Sequence, residues 1–332
     1  MVCDSVANFE VVLASGEIVN ANKDVNADLW QALKGGSNNF GIVTRIDLKT
    51  FDNPGIWAGM VAYPHSTAPL HAKALVHFTD KLEEDPYATM IHCIQYSPAL
   101  GQTIIANAYV YSKPIARAPI YDEFLAIPGN FSDDTKVTTM SAFTAGAVEH
   151  PEGYRVIFVT ATFQNDERVM QKAIELQDLM VEELKKVSED WWSLSVFQPL
   201  PTLYAKHSAA NGGNVLGLDR FDENAILFLV DLGWKGAEFD GAFEGAAQKL
   251  TDDIDEFAKS IGKGNEWIYL DYAYKTQKPL ESYGAANVEK IRKVAAKYDP
   301  DGVFQKLVPG GFKVSKVPNS PSEENNKGHD EL

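Results

Sequence analysis

The chain has 332 residues, long enough for one large domain or two modules, and its 45% hydrophobic residues can fill a sizeable core. Its 30 basic and 46 acidic residues give a formal net charge of -16, which repels phosphate backbones and anionic lipid surfaces and argues against nucleic acid as a partner. No apolar run approaches the roughly 18 residues needed to span a bilayer, so we expect no membrane insertion.

The candidate metal ligands are few and scattered. Cys3 and Cys93 could form at most one disulfide, and neither lies in or beside a metal-binding motif such as C-x-x-C or H-x-x-x-H. No Ser-His-Asp constellation can be assembled from the sequence. We therefore predict no metal site.

A hairpin, a helix, a glycine turn and a strand follow one another in the first fifty residues. Strand-like segments at 9–13 and 18–21 flank a short turn with glycine. A helix is predicted after Asn26, a candidate N-cap, and Gly35 suits its left-handed C-terminal position. At Gly41 the missing side chain lets backbone N–H groups approach a ligand, and a strand begins at Ile42.

A turn of sequence D-N-P-G at 52–55 marks a module boundary. Beyond it, apolar periodicity predicts hairpins and separate strands, the last at 267–274, and helices that include 68–84, 168–187 and 239–261. The helices are too few and too unevenly placed for a βαβ array. The pattern favours an antiparallel sheet with helices on one face, an α+β fold.

A last helix at 287–298 ends at the sequence D-P-D-G. Residues 315–332 are charged, contain proline and have few large apolar side chains, so we predict a disordered acidic tail.

Two blocks of sequence resemble a known family. Residues 28–44 carry D-L-W-x-A-L-K-G-G and N-F-G-I-V-T, and residues 269–313 carry Y-L-D-Y-A, S-Y-G, K-Y-D-P-D-G-V-F and P-G-G-F-K. Their order resembles the fungal branch of the berberine bridge enzyme-like FAD-linked oxidoreductases, which have a PCMH-type FAD-binding domain. The resemblance implies that residues 1–50 end an FAD-binding domain, that 283–314 pack back on them, and that 51–282 form the substrate domain.

The resemblance also implies FAD as cofactor. The family's pyrophosphate loop and its flavin-attaching histidine have no counterpart here, since residues 1–40 contain no histidine and no glycine-rich loop around Cys3. We therefore expect that most of the N-terminal flavin domain is absent and that the chain alone does not retain flavin. The contacts that the resemblance places in this chain are Val6, Gly41, Ile42, Val43, Asp271 and Tyr272.

Asp271 departs from the family pattern. An asparagine is expected in Y-x-N-Y-A, and a carboxylate cannot donate a hydrogen bond as an amide does.

On the substrate side, F-Q-P at 197–199 and the glycine loop at 211–217 resemble the segments that approach the flavin. Gln198 is the candidate to orient a substrate oxygen. Tyr109 and Tyr204 are candidate acids or bases.

Two functions remain open. The first is an FAD-linked oxidoreductase of fungal secondary metabolism that oxidises a small organic substrate by hydride transfer to flavin, with dioxygen as reoxidant. The second is a non-redox binding protein or cyclase that keeps the family's cavity. Whether the chain is itself an enzyme is left open by the missing pyrophosphate loop.

The chain ends in H-D-E-L at 329–332 and has a glycosylation sequon at 130–132, which indicate the endoplasmic reticulum only if a signal peptide lies upstream. We also expect an exposed apolar face on the flavin-domain remnant, which could mediate self-association or bind a complementing N-terminal fragment. Its predicted residues are Leu29, Leu33, Ile42, Ile46 and Leu48.

Overall fold

The computed structural model describes residues 1–145 and 152–319. The strands are β1 (Val6–Val12), β2 (Ile18–Asn22), β3 (Ile42–Leu48), β4 (Ile56–Pro64), β5 (Ala88–Tyr96), β6 (Thr103–Tyr111), β7 (Ser132–Asp133), β8 (Lys136–Thr138), β9 (Arg155–Gln164), β10 (Trp191–Leu200), β11 (Ala225–Trp234) and β12 (Gly264–Asn265). The α-helices are α1 (Ala27–Leu33), α2 (Ala68–Lys81), α3 (Asp122–Leu125), α4 (Met140–Thr144), α5 (Glu167–Leu184), α6 (Leu203–Ala210), α7 (Asp240–Ser260), α8 (Pro279–Ser282), α9 (Ala285–Tyr298) and α10 (Val303–Lys306).

The chain divides into two compact units. Unit 1 comprises Met1–Phe51, Tyr204–Arg220 and the described part of Gln277–Leu332, and unit 2 comprises Asp52–Leu203 and Phe221–Thr276. No pattern in the sequence indicated that 204–220 would group with the first fifty residues. The grouping rests on long-range hydrogen bonds, such as that from the Val215 N–H to the Lys34 carbonyl at 3.1 Å.

Unit 1 contains a three-stranded antiparallel sheet in the order β2-β1-β3, so the predicted hairpin is confirmed. Helix α1 packs on β2 and on α9, where the Tyr298 hydroxyl donates to Asp28 at 2.8 Å. The C-terminal helix α9 therefore packs against the N-terminal segment. Asn26 stands at the N-cap of α1 as expected, but its side chain bonds the Asn20 carbonyl instead of capping the helix.

Strand β3 is an edge of this sheet and its large side chains are exposed. Ile42, Ile46 and Leu48 are 59%, 52% and 52% exposed. Leu29 was wrongly assigned to this face, because it is buried, and Leu33 is half-buried on the same helix. The exposed apolar face within unit 1 is thus a property of β3, not of α1.

Within the described residues, unit 2 has a nine-stranded antiparallel sheet in the order β12-β9-β11-β10-β5-β6-β4-β7, with β8 also paired to β4. Helices α2, α5 and α7 share one hydrophobic core with one face of this sheet. The α+β fold class is confirmed. Strand β11 is buried along its whole length, which is typical of a central strand covered on both faces.

The predicted strand at 267–274 is wrong. The Asn265 side chain accepts a hydrogen bond from the Trp267 N–H at 3.0 Å, and a short 3₁₀ helix forms at Leu270–Tyr272. Local turn bonds thus replace ladder pairing, because a side-chain acceptor offers the backbone an alternative to the sheet.

Among the described helices, none is long and apolar enough to cross a membrane. The sequon at 130–132 is exposed. Residues 320–332, which include most of the predicted tail and the H-D-E-L sequence, lie outside the described residues.

Candidate functional site

Gln198 faces away from the helices of unit 2. Its neighbour Phe197 belongs to the core between the helices and the sheet, and successive strand residues point to opposite faces. The half-buried Gln198 amide donates from Nε2 to the Tyr272 hydroxyl at 3.1 Å. Two residues that the resemblance placed near the flavin therefore meet in unit 2.

An aromatic group lines the same face. The Tyr272 ring meets the edge of Phe158 at a centroid distance of 6.1 Å and that of Tyr269 at 4.9 Å. Phe158 lies directly opposite Asp231 in the register of β9 and β11. The face away from the helices thus carries Gln198, Tyr272, Phe158 and Asp231.

Asp231 was not among the site residues predicted from the sequence. It is 4% exposed in the middle of β11, and burial raises its pKa to about 8 because desolvation disfavours the carboxylate. The signal was present in the sequence, as a lone acid in the apolar strand A-I-L-F-L-V-D-L. A buried acid that is mostly protonated at neutral pH can hold or release a proton.

Tyr109 lies on the other side of the sheet. It is fully buried in the helix-facing core, where its hydroxyl accepts a hydrogen bond from Asn107 Nδ2 at 3.0 Å. Burial raises its pKa above the usual value for a phenol. The structure separates Tyr109 from Gln198, so these two predicted residues do not share a site.

Tyr204 belongs to unit 1, at the start of α6. It is half-buried, and burial raises the pKa of its hydroxyl.

Unit 1 holds Val6, predicted near the strand that faces FAD, and Gly41, Ile42 and Val43, whose backbone was predicted to lie beside the nucleotide end. Val6 is buried, and its carbonyl accepts a hydrogen bond from the Trp30 indole at 3.1 Å. A Cβ at Gly41 would lie 2.5 Å from Val11 Cγ1, so close packing on β1 is sufficient reason for glycine there. Ile42 and Val43 present exposed apolar side chains.

The side chains of these four residues offer neither a cation nor a hydrogen-bond donor to a diphosphate. The contacts predicted for the backbone N–H groups of Gly41, Ile42 and Val43 stay a prediction. Asp271 is exposed, so a carboxylate in place of the family's asparagine is solvated there. The face with Asp231, Gln198 and Tyr272 combines a buried proton-holding group with polar and aromatic side chains, a combination found in small-molecule sites.

Among the described residues, no group of three or more His, Cys, Asp and Glu side chains could hold a metal ion.

The chain has close relatives among fungal flavoproteins. It is 39% identical over 323 residues to the FAD-dependent monooxygenase sdcF of Emericella nidulans, covering 96% of this chain and 67% of that protein. It is 36% identical over 320 residues to the FAD-dependent monooxygenase drtC of Aspergillus calidoustus, covering 96% of this chain and 61% of that protein. No protein-family model matches the chain.

Solved structures share the fold at low sequence identity. The chain matches 6-hydroxy-D-nicotine oxidase of Arthrobacter nicotinovorans with a TM-score of 0.69 and 17% identity, over 91% of this chain and 65% of that one. It matches the BBE-like 1 protein of Physcomitrella patens with a TM-score of 0.64 and 13% identity, over 96% and 66%. From its identity with the fungal relatives over most of their length, the chain belongs to the family of fungal FAD-dependent monooxygenases.

Proposed function

We propose that this chain carries the substrate side of an FAD-linked oxidoreductase of the berberine bridge enzyme-like type, acting on a small organic molecule in fungal secondary metabolism. The observation that supports it most is Asp231, a buried acid on the sheet face that also holds Gln198 and Tyr272. A buried acid with a strongly raised pKa is costly to the fold, and such groups concentrate at functional sites.

We propose a separate role for each residue of this face. When bound, FAD would accept a hydride from the substrate, and dioxygen would reoxidise the reduced flavin. Gln198, held by its bond to Tyr272, orients a substrate oxygen. Asp231 exchanges the proton that leaves or enters the substrate, and its pKa of about 8 suits transfer near neutral pH. The aromatic rings of Phe158 and Tyr272 pack against the substrate's apolar surface.

The chain spans 67% and 61% of the lengths of sdcF and drtC. We propose that the part of the relatives outside this match supplies the diphosphate contacts. The exposed face of β3 would then bind that N-terminal segment, or a second copy of the chain when the segment is missing, because β3 is a sheet edge with exposed Ile42, Ile46 and Leu48.

The experiment is a hybrid protein in which the N-terminal part of sdcF precedes Met1. After reconstitution with FAD, its oxygen consumption is measured with an extract of fungal secondary metabolites as substrate source. Asp231→Asn should lower the rate by about 10²–10⁴-fold, the usual scale for a general acid or base, and Gln198→Leu should also lower it, with FAD content unchanged. Glu123→Gln, at a half-buried residue of α3 that lies 3.0 Å from His77, is the control. Full activity in both site variants would overturn the assignment.

The fate of dioxygen follows from the same assay. An oxidase removes two hydrogens from its substrate and releases one hydrogen peroxide per dioxygen consumed. A monooxygenase instead places one oxygen atom in the product and reduces the other to water, at the expense of a further two-electron donor. The ratio of peroxide to dioxygen distinguishes the two.

A second function is favoured by the side chains of Val6, Ile42 and Val43, which are apolar and offer no charge to a diphosphate. The chain would then bind, or cyclise, a small molecule without redox chemistry. Capture of a metabolite by the chain alone, equal with and without added FAD, would support this function against the first.

A further inference from the structure

A buried polar cluster lies in unit 2 on the face of the sheet that meets the helices, which is opposite to the face that carries Asp231. His71 of α2, His92 of β5 and Asn107 of β6 are all fully buried. His92 Nδ1 lies 2.7 Å from Asn107 Oδ1, and Asn107 Nδ2 lies 3.1 Å from His71 Nδ1. One amide thus joins two imidazoles.

The direction of these hydrogen bonds follows from the Asn107 amide. Its Nδ2 donates to both the Tyr109 hydroxyl and His71 Nδ1, and its Oδ1 faces His92 Nδ1. Burial raises the pKa of Tyr109, which keeps its hydroxyl protonated.

Tyr109 therefore accepts from Asn107, at 3.0 Å, which turns the Asn107 amide nitrogen toward Tyr109 and its oxygen toward His92. His92 must carry its proton on Nδ1, which leaves Nε2 as a bare acceptor. The second N–H of Asn107 reaches His71 Nδ1, so His71 carries its proton on Nε2. Burial lowers the pKa of His71 to about 2 and of His92 to about 4, which keeps both rings neutral.

The two Nε2 atoms are therefore a donor and an acceptor. Both are buried, and neither has a protein partner among the described residues. The ring centroids are 5.4 Å apart. The Gln177 amide of α5 and the Ser195 hydroxyl of β10 are also buried, and neither has a hydrogen-bond partner within the described chain. Helix α2 contacts both α5 and β10, and β10 pairs with β5, so these groups come from elements that pack on one another.

We propose that His71 and His92 form an internal water site, in which buried water accepts a hydrogen bond from His71 Nε2–H and donates one to His92 Nε2, with Ser195 and Gln177 as further partners. Water fits because it can both donate and accept and carries no charge into the core. One water that makes two hydrogen bonds of about 2.8 Å can bridge nitrogen atoms up to about 5.6 Å apart, and the ring centroids are 5.4 Å apart. A metal ion fits poorly, since the His71 Nε2 that would ligate it holds a proton.

The first test is the tautomeric state. Long-range ¹H–¹⁵N spectra of the protein labelled with ¹⁵N-histidine, at pH 7, distinguish protonated from bare ring nitrogens. We expect the proton on Nδ1 in His92 and on Nε2 in His71. The same tautomer in both rings, or the reverse pair, would overturn the proposal.

A crystal structure with ordered solvent provides the second test. Water within hydrogen-bond distance of both Nε2 atoms supports the site. Protein atoms bonded to them, a bound metal, or no density contradict it.

Asn107→Asp provides a variant with a distinct signature. A carboxylate only accepts, so His71 should move its proton to Nδ1 while His92 remains unchanged. Asn130→Asp, at an exposed loop position, is the matched control and should leave both tautomers as they are. Should Asn107→Asp fail to fold, the wild-type spectra decide the question.

Discussion

Asn39 and Gln305 are joined by two hydrogen bonds across 266 residues of sequence, from Gln305 Nε2 to the Asn39 carbonyl at 3.1 Å and to its Oδ1 at 3.0 Å. The buried Asn39 side chain also donates to the Phe312 carbonyl and accepts from the Val314 N–H, each at 3.0 Å. Hydrogen bonds from Asn39 thus hold the N-F-G motif against the segment that contains P-G-G-F-K within unit 1. We call this group of hydrogen bonds the joint.

Replacing Asn39 should loosen that joint. Asn39→Ala leaves the Val314 N–H and the Phe312 carbonyl without their partner, and each buried group left unsatisfied costs about 1–3 kcal/mol. We expect the free energy of unfolding, measured in urea, to fall by about 2–4 kcal/mol. Asn20→Ala, at an exposed asparagine of β2, should cost much less. Equal losses in the two variants would show that the joint does not hold unit 1.

Two glycines of unit 1 separate backbone strain from steric clash. Gly16 and Gly217 both have positive φ, but a Cβ at Gly16 meets nothing within 4 Å, whereas one at Gly217 would clash with the Tyr283 carbonyl oxygen. Gly16→Ala should cost about 1 kcal/mol of stability from the left-handed conformation alone. Gly217→Ala should cost at least about 2 kcal/mol more, because 204–220 must move away from the C-terminal segment. Thermal unfolding of both variants tests the difference.

Asp231 should make the protein less stable as pH rises. Burial raises its pKa in the folded protein to about 8 from an ordinary value of 3.8, so its contribution to the free energy of unfolding is fully present below pH 3.8 and is lost as pH rises toward 8. The slope from this one group is at most about 1.4 kcal/mol per pH unit. Asp231→Asn should flatten the fall in urea-unfolding free energy between pH 6.5 and 8. An unchanged slope would mean that the carboxyl is already ionised in the folded protein.

The buried histidines have the opposite effect. Burial lowers their pKa values in the folded protein to about 2 for His71 and about 4 for His92, from an ordinary value of 6.5. The stability that they contribute is therefore present above pH 6.5 and is lost as pH falls. Each adds a slope of at most about 1.4 kcal/mol per pH unit between 6.5 and its folded pKa. The double variant His71→Leu/His92→Leu should show a flatter profile from pH 6.5 to 4.5, whatever its absolute stability. A profile as steep as that of the wild type would place the acid sensitivity elsewhere.

Local pattern was sufficient to predict much of this fold. The helices at α2, α5, α7 and α9 follow the 3.6-residue apolar period, and the antiparallel sheet follows from hairpins separated by turn residues. Alternation cannot tell which face of a strand meets the helices when both faces are apolar, as in β11. For this reason Asp231 was overlooked and Tyr109 was assigned to a site that it does not face.

The grouping of 204–220 with unit 1 depends on contacts between distant parts of the chain. The Val215 N–H meets the Lys34 carbonyl, and Lys34 Nζ donates to the Asn211 carbonyl at 3.1 Å. Such pairs leave no periodic trace in the sequence. The family motifs separately placed Gln198 and Tyr272 near the flavin. Their direct contact was not predicted, since hydrophobic pattern carries no information about a polar contact across 74 residues.

The proposal that the diphosphate contacts come from outside this chain is tested most directly by a flavin titration of two proteins. These are the chain from Met1 and the hybrid with the N-terminal part of sdcF. Each is incubated with FAD, passed through gel filtration and measured for bound flavin by absorbance. If the part of the relatives outside the match supplies the diphosphate contacts, as we propose, the chain alone forgoes several charge-assisted hydrogen bonds of about 1.5–3 kcal/mol each, which weakens binding by orders of magnitude. We predict no retained flavin in the chain alone and stoichiometric flavin in the hybrid. Stoichiometric flavin in the chain alone would contradict the proposal.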